Sequence, residues 1–148
     1  MTRLFLAILV ALSAQASWTQ DFSGVEITTT QLANGLYMME GAGGNLAVSV
    51  GEDGVFLVDD QYAPLSGKIM TAISELTDSE VEFLVNTHWH GDHTGGNEAF
   101  GNAGAIIVAH DNTRVRMTEE QLRQIFNTSY PPRPEDALPI VTFDDEMT

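Results

Sequence analysis

Between Asn86 and Asn97 the chain reads Asn-Thr-His-Trp-His-Gly-Asp-His-Thr-Gly-Gly-Asn, and this stretch restricts the fold more than any other. Three of the four histidines fall within six positions, His88 to His93, with Asp92 among them. Imidazole and carboxylate are the donors that a borderline divalent cation such as zinc takes in catalytic sites. The run before them, Val81-Glu82-Phe83-Leu84-Val85, is apolar and β-branched, which predicts a buried strand. Gly91, Gly95 and Gly96 then interrupt regular structure. The donors are therefore expected on a loop leaving the C-terminal end of a strand, where open α/β sheets place their sites.

The spacing favours a loop over a helix face. Helical ligand pairs stand four apart, whereas His88 and His90 are two apart and share a side only on extended backbone. Asp92 and His93 are adjacent, so they are expected to diverge toward a second ion or another side of the first. Trp89 alternates with the two histidines and reads as packing.

His-x-His-x-Asp-His at 88–93, after an apolar strand and before Thr-Gly-Gly-Asn, resembles the metallo-β-lactamase-fold hydrolase superfamily. Gly54-Val55-Phe56-Leu57-Val58-Asp59-Asp60, a strand ending in aspartate, is similar to the element preceding that motif in the family. The resemblance spans residues 25–145. It implies an α/β fold of the α+β sandwich type, the N-terminal half of an αββα sandwich. It also implies His88 and His90 as ligands of a first zinc, Asp92 and His93 as ligands of a second, and Asp59 as a support for the metal loop. The implied chemistry is attack on a lactam, lactone or thioester carbonyl by metal-bound hydroxide, with Asp92 orienting the nucleophile and handing its proton to the leaving group. Relatives that hold non-haem iron for oxygen chemistry, and a non-catalytic truncated module, are the alternatives.

The family completes its sites with a further histidine, a bridging carboxylate and a last histidine, none of which has a counterpart before Thr148. Four donors shared by two ions leave two each, against the three protein ligands usual at catalytic zinc. Residues 17–148 thus read as a partial domain lacking its C-terminal half. His110, at the end of a strand, is tempting as a third ligand but reads more simply as a hydrogen-bonded structural residue.

Charge narrows the partners. A formal net charge of −15 with only 6 Lys+Arg opposes binding to nucleic acid, whose phosphates need a basic surface. The expected partner is a small-molecule substrate, and composition leaves oligomeric state open. Cysteine is absent, which removes disulfides, thiolate ligands and thiol nucleophiles. Residues 1–16 read as a secretory signal, with Arg3, an apolar run over 4–12 and a small-x-small site at Ala14-Gln15-Ala16, so export, to a periplasm, is expected. That run is shorter than the roughly 20 residues a spanning helix needs.

Along the rest of the chain, strands are expected at 25–30, 35–40, 46–50 and 55–58. Asn34-Gly35 and Gly51-Glu52-Asp53-Gly54 mark the turns. Gly41-Ala42-Gly43-Gly44 leads into a strand and carries no Lys-Ser/Thr, so it reads as a flexible turn rather than a phosphate loop. Helices are expected at 64–76, with Ile69, Ile73 and Leu76 on one face, at 94–100, and from an Asp111 N-cap to about Phe126, with Val115, Leu122, Ile125 and Phe126 aligned. Strands at 105–109 and 139–143 and an irregular Tyr130-Pro131-Pro132-Arg133-Pro134 connection complete a sheet with parallel members and helices against one face.

Overall fold

Two short turns start the sheet. In the computed structural model, which describes residues 20–123 and 128–147, β1 (Thr28–Ala33) and β2 (Leu36–Glu40) pair antiparallel across Asn34-Gly35, with Gly35 at φ 71. That positive φ is cheap only for glycine. β3 (Leu46–Gly51) follows and turns through Glu52-Asp53 into β4 (Gly54–Val58), Gly51 facing Gly54 across the hairpin.

From β4 onward the neighbours are parallel, because a helix now carries the chain back between strands. A 3₁₀ turn at Ala63–Leu65, with Pro64 fixing its φ, runs into α1 (Ser66–Ser74) and returns to β5 (Phe83–Asn86). Two short helices, α2 (Gly91–Thr94) and α3 (Asn97–Asn102), lead to β6 (Ile106–His110) and α4 (Asp111–Thr118). A separate ribbon of β7 (Gln121–Arg123) and β8 (Thr128–Tyr130) precedes the edge strand β9 (Val141–Phe143). The main sheet has seven strands in the order β1-β2-β3-β4-β5-β6-β9.

Alternation along the strands sets the core. Leu46, Val48, Val55, Leu57, Leu84 and Ile107 point to one face and bury against Leu65, Ile69 and Ile73 of the first crossover and Phe100 of α3. Full burial of a side chain such as Phe100 contributes about 1.5–3 kcal/mol. On the opposite face the cross-strand neighbours Phe56 and Phe83 stack with centroids 4.9 Å apart, and Phe56 remains 37% exposed. Among the described residues no helix is long and apolar enough to cross a membrane.

The register decides where the chemistry sits. Val58 pairs with Val85 and Asn86 with Ala109, so β4, β5 and β6 all end at one edge of the sheet. Asp59, residues 87–93 and His110 leave from that edge together.

The sequence reading holds in outline, and its departures have local causes. The third helix ends at Thr118 rather than near Phe126. The Thr118 hydroxyl donates to the Val115 carbonyl and Arg133 N to the Met117 carbonyl, taking acceptors that further turns would need. Its buried face is Thr113 and Met117, while Val115 is 50% and Leu122 61% exposed. Ile125, Phe126 and the export signal read at residues 1–16 lie outside the described residues. The N-cap is His110, not Asp111: its Nδ1 accepts from Asn112 N at 3.0 Å. The helix expected over 94–100 straddles a break at Gly95-Gly96, and one turn begins earlier, at Gly91.

Candidate metal centre

Site building begins with the strained turn after β4. Asp59 and Gln61 adopt φ 60 and φ 57, values that non-glycine residues rarely take. Asp59, Asp60 and Gln61 are nevertheless all buried, at 3%, 0% and 0% exposure. Each is held by a different segment. Buried polar groups need partners, and those partners define the site.

Asp59 anchors the histidine loop. Its Oδ1 accepts from Thr87 N at 2.8 Å, and its Oδ2 accepts from Thr87 Oγ1 at 2.7 Å and from His93 Nδ1 at 2.7 Å. Since the Thr87 hydroxyl gives its one proton to Asp59, it accepts from His88 Nδ1, 3.1 Å away. One carboxylate thereby fixes the tautomers of two imidazoles, directly for His93 and through Thr87 for His88. In both rings the outer nitrogen, Nε2, keeps its lone pair.

The four candidate donors form two pairs. His88 Nε2 lies 3.1 Å from His90 Nδ1, and His93 Nε2 lies 3.5 Å from Asp92 Oδ2. Two donors at about 2.0–2.1 Å on one tetrahedral zinc stand roughly 3.3 Å apart, so each pair matches the spacing of two ligands. The rings of His88 and His93 are themselves close, centroids 4.1 Å apart. Donors and spacing fit zinc. The set is not complete, because among the described residues no three His, Cys, Asp or Glu side chains form a group able to hold an ion.

Asp92 and His93 do not diverge as adjacent residues on a loop would. They occupy α2, and this single helical turn brings their polar atoms to the same side. Nor is the glycine-rich segment 41–44 a free turn. Gln61 Nε2 donates to Gly44 O at 2.6 Å and Gln61 Oε1 accepts from Ala42 N at 3.2 Å, pressing the segment onto the site. A Cβ on Gly44 would stand 2.7 Å from His93 Nε2, and one on Gly43 3.0 Å from Asp92 Cβ. The segment therefore packs against the candidate donors at a distance only glycine permits.

Asparagines close the loop at its base. Asn86 Nδ2 donates to Asn97 Oδ1 at 3.0 Å, and Asn97 Nδ2 donates back to Asn86 Oδ1 and on to Ala137 O, both at 2.8 Å. This buried amide pair brackets all four donors. Sequence reasoning missed it along with Gln61 and Asp60. The flanking asparagines and the Gly-x-Gly-Gly run were visible signals, but nothing in one dimension said they meet.

Asp60 is the unusual group. Its Oδ1 accepts from Gly96 N at 2.8 Å, and Oδ2 has no hydrogen-bond partner among the described residues. Burial pushes its carboxyl well above the ordinary range, the Gly96 N–H opposes this, the Asp59 charge raises it further, and Arg133 lowers it. A raised folded-state pKa means that, above the unfolded value near 3.9, the unfolded chain binds fewer protons than the folded one. The stabilising contribution is therefore complete below that value and is lost as pH rises through the raised one. Asp60→Asn is expected to flatten this decline, read as denaturant midpoints between about pH 4 and 8. An unchanged slope would show that Asp60 ionises normally.

Trp89 does not simply pack away from the loop. Its ring meets His90 at 4.6 Å, and it lines a cavity of about 270 Å³ that also touches Asp92, Tyr62, Tyr130 and Arg133. Of the candidate donors Asp92 borders this space, which is large enough for part of a small molecule. His110, capping α4 and set edge-on to Phe143, takes the structural part.

The family model of the metallo-beta-lactamase superfamily matches residues 42–147. A Cronobacter sakazakii metallo-beta-lactamase with a HARLDQ motif superposes with TM-score 0.64 at 16% identity, over 82% of this chain and 47% of that one. FIM-1 from Pseudomonas aeruginosa, in its mono-zinc form, gives TM-score 0.56 at 23% identity, over 63% and 45%. A metallo-beta-lactamase from Erythrobacter litoralis gives 0.55 at 27%, over 61% and 44%. The chain spans less than half the length of each of these structures. No curated protein matches it.

Proposed function

The chain belongs to the metallo-beta-lactamase superfamily, and on that premise we propose that it forms the ligand-bearing N-terminal part of a zinc-dependent hydrolase acting on a carbonyl. The single observation that carries the reading is the pairing of donors behind one carboxylate. His88 with His90 and Asp92 with His93 stand at ligand spacing, and Asp59 holds one ring of each pair. Each pair would need a further ligand to reach the three usual at catalytic zinc.

Bound zinc lowers the pKa of a coordinated water from about 15.7 to about 7 and polarises a carbonyl. This chain supplies positioning and proton handling. His88 and His90 would hold one ion, and Asp92 and His93 the other. The Asp92 side chain, 34% exposed, is open enough to orient an attacking water and to pass its proton to a leaving group. Thr87 and Asp59 keep the rings from turning their protonated nitrogens inward. The excess of acidic over basic residues in the sequence directs the reading to small molecules rather than nucleic acid.

The test is metal removal from the complete protein with a panel of lactam, lactone and glutathione-thioester substrates. Chelation is expected to abolish turnover of one class and added zinc to restore it. Hydrolysis indifferent to chelation, or native protein loaded with iron and no zinc, would sink the proposal.

A further inference from the structure

Strand β5 enters the sheet at one end and delivers the candidate donors at the other. Beside its entry lies a second cavity of about 320 Å³, between α1, α3 and residues 77–81. The floor is apolar: Ile73 and Phe100 are buried, with Met70 and Val81 half-buried next to them. Asp78, Ser79 and Glu80 form an exposed polar rim. Among the described residues lining the cavity none is basic. Lys68, the single lysine of the sequence, is spent on the carbonyls of Phe22, Ser23 and Val25.

Both flanking helices end here. Glu75 N closes α1 on Thr71 O at 3.3 Å, Ala103 N closes α3 on Ala99 O at 3.1 Å, and neither helix has a basic residue in its last turn. The last carbonyls of a helix carry partial negative charge, which a cation offsets. The Ser74 hydroxyl gives its proton to Thr71 O at 2.7 Å and so turns only lone pairs outward. Hydrocarbon buried on the floor is stabilised by leaving water, and the rim then decides the head group. An anion meets two carboxylates and two negative helix ends. An ammonium, with three donors and no acceptor, finds partners in the same groups. We propose that this cavity binds a small primary alkylammonium, its chain against Met70, Ile73 and Val81 and its head between Asp78, Glu80 and the end of α1. The volume is at the low end for ligand sites and suits a chain of about six carbons. Because the site stands at the far end of β5 and α3 from the candidate donors, its occupant is not the molecule that meets the metal pairs. The inference does not rest on the hydrolase reading.

Asp78 and Glu80 are exposed, so water and salt screen them and the selectivity they impose is a few-fold. Dissociation constants of hexylammonium and neutral 1-hexanol are measured by ligand-observed NMR on the complete protein at low salt. Hexylammonium is expected to bind at least about threefold more tightly, and the difference to shrink in about 0.5 M salt. The double variant Asp78→Asn/Glu80→Gln is expected to bring the two probes within about twofold of each other and to leave hexanol binding unchanged. Ala103→Phe, at an exposed position on the rim, is expected to fill the mouth and abolish binding of both. Equal binding of the two probes to the parent overturns the proposal. So does a preference that the double variant keeps in full, which would be the general attraction of an acidic protein for cations. Binding that Ala103→Phe leaves intact places the probes elsewhere and overturns it as well, and so does hexylammonium binding lost on chelation, which puts the amine on a metal ion. Turnover is expected to be unchanged in these variants. If no carbonyl substrate reacts, the hydrolase reading fails while the binding result still decides this one.

Discussion

Alanine in place of Asp92 or His88 is expected to reduce metal-dependent turnover in the complete protein by at least about a hundredfold, the range in which positioned proton transfer is lost. The two substitutions fail for different reasons. His88→Ala removes one of the two nitrogens standing 3.1 Å apart, so its pair can no longer chelate. Asp92→Ala removes both a donor to the other pair and the group that handles the proton. Neither change touches the core, since Asp92 and His88 lie on the open side of the sheet edge, and stability is expected to shift by less than about 0.5 kcal/mol. Metal analysis separates the cases: each variant is expected to lose one equivalent while keeping the other. Either variant retaining activity within about twofold would show that residues 88–93 are not the reacting centre.

Asp59→Asn is expected to weaken zinc binding by about ten- to a hundredfold, although Asp59 is not one of the four candidate donors. The carboxylate accepts three hydrogen bonds, two of them at Oδ2. Asparagine keeps the shape but offers one acceptor oxygen and an NH2 group. Whichever way the amide turns, its NH2 faces a donor, Thr87 N in one orientation and Thr87 Oγ1 with His93 Nδ1 in the other, so the hold on the loop and its imidazoles loosens. Leaving such a group unsatisfied in a buried place also costs about 1–3 kcal/mol of stability. Thr87→Val isolates one arm. It cuts the relay to His88 and leaves His93 bonded to Asp59, so it is expected to weaken only the first pair. Zinc titration finding both variants equal to the parent would remove Asp59 from the site.

Much of the site was legible because its residues are contiguous. Four donors within six positions, after an apolar strand and among glycines, need no tertiary information to be recognised as a cluster. Asp59 could be anticipated only through the family resemblance. Misjudged features were those whose meaning depends on a distant partner. The glycines at 41–44 read as a flexible turn because nothing nearby explains them, and the explanation is Gln61 and the His93 ring. Trp89 read as packing because alternation holds only while the backbone stays extended. The helix from Asp111 was drawn too long because its end is set by Arg133, a residue from the other side of a hairpin.

The sequence by itself determined the strands of the main sheet, the two hairpin turns and the identity of the donor atoms, because those depend on period, on glycine at tight turns and on side-chain chemistry. The β7–β8 ribbon it reads as helix and irregular connection. Tertiary structure alone decided which atoms meet. In-register parallel pairing of β4, β5 and β6 carries Asp59 to Thr87 and His93 and, with the asparagine pair, draws the loop shut. It also leaves Arg133 facing the cavity beside Asp92. The physical reason is that a hydrogen bond or an ion pair is a matter of a few ångströms, and the distance between residues 59 and 93 along the chain says nothing about the distance between them in the fold.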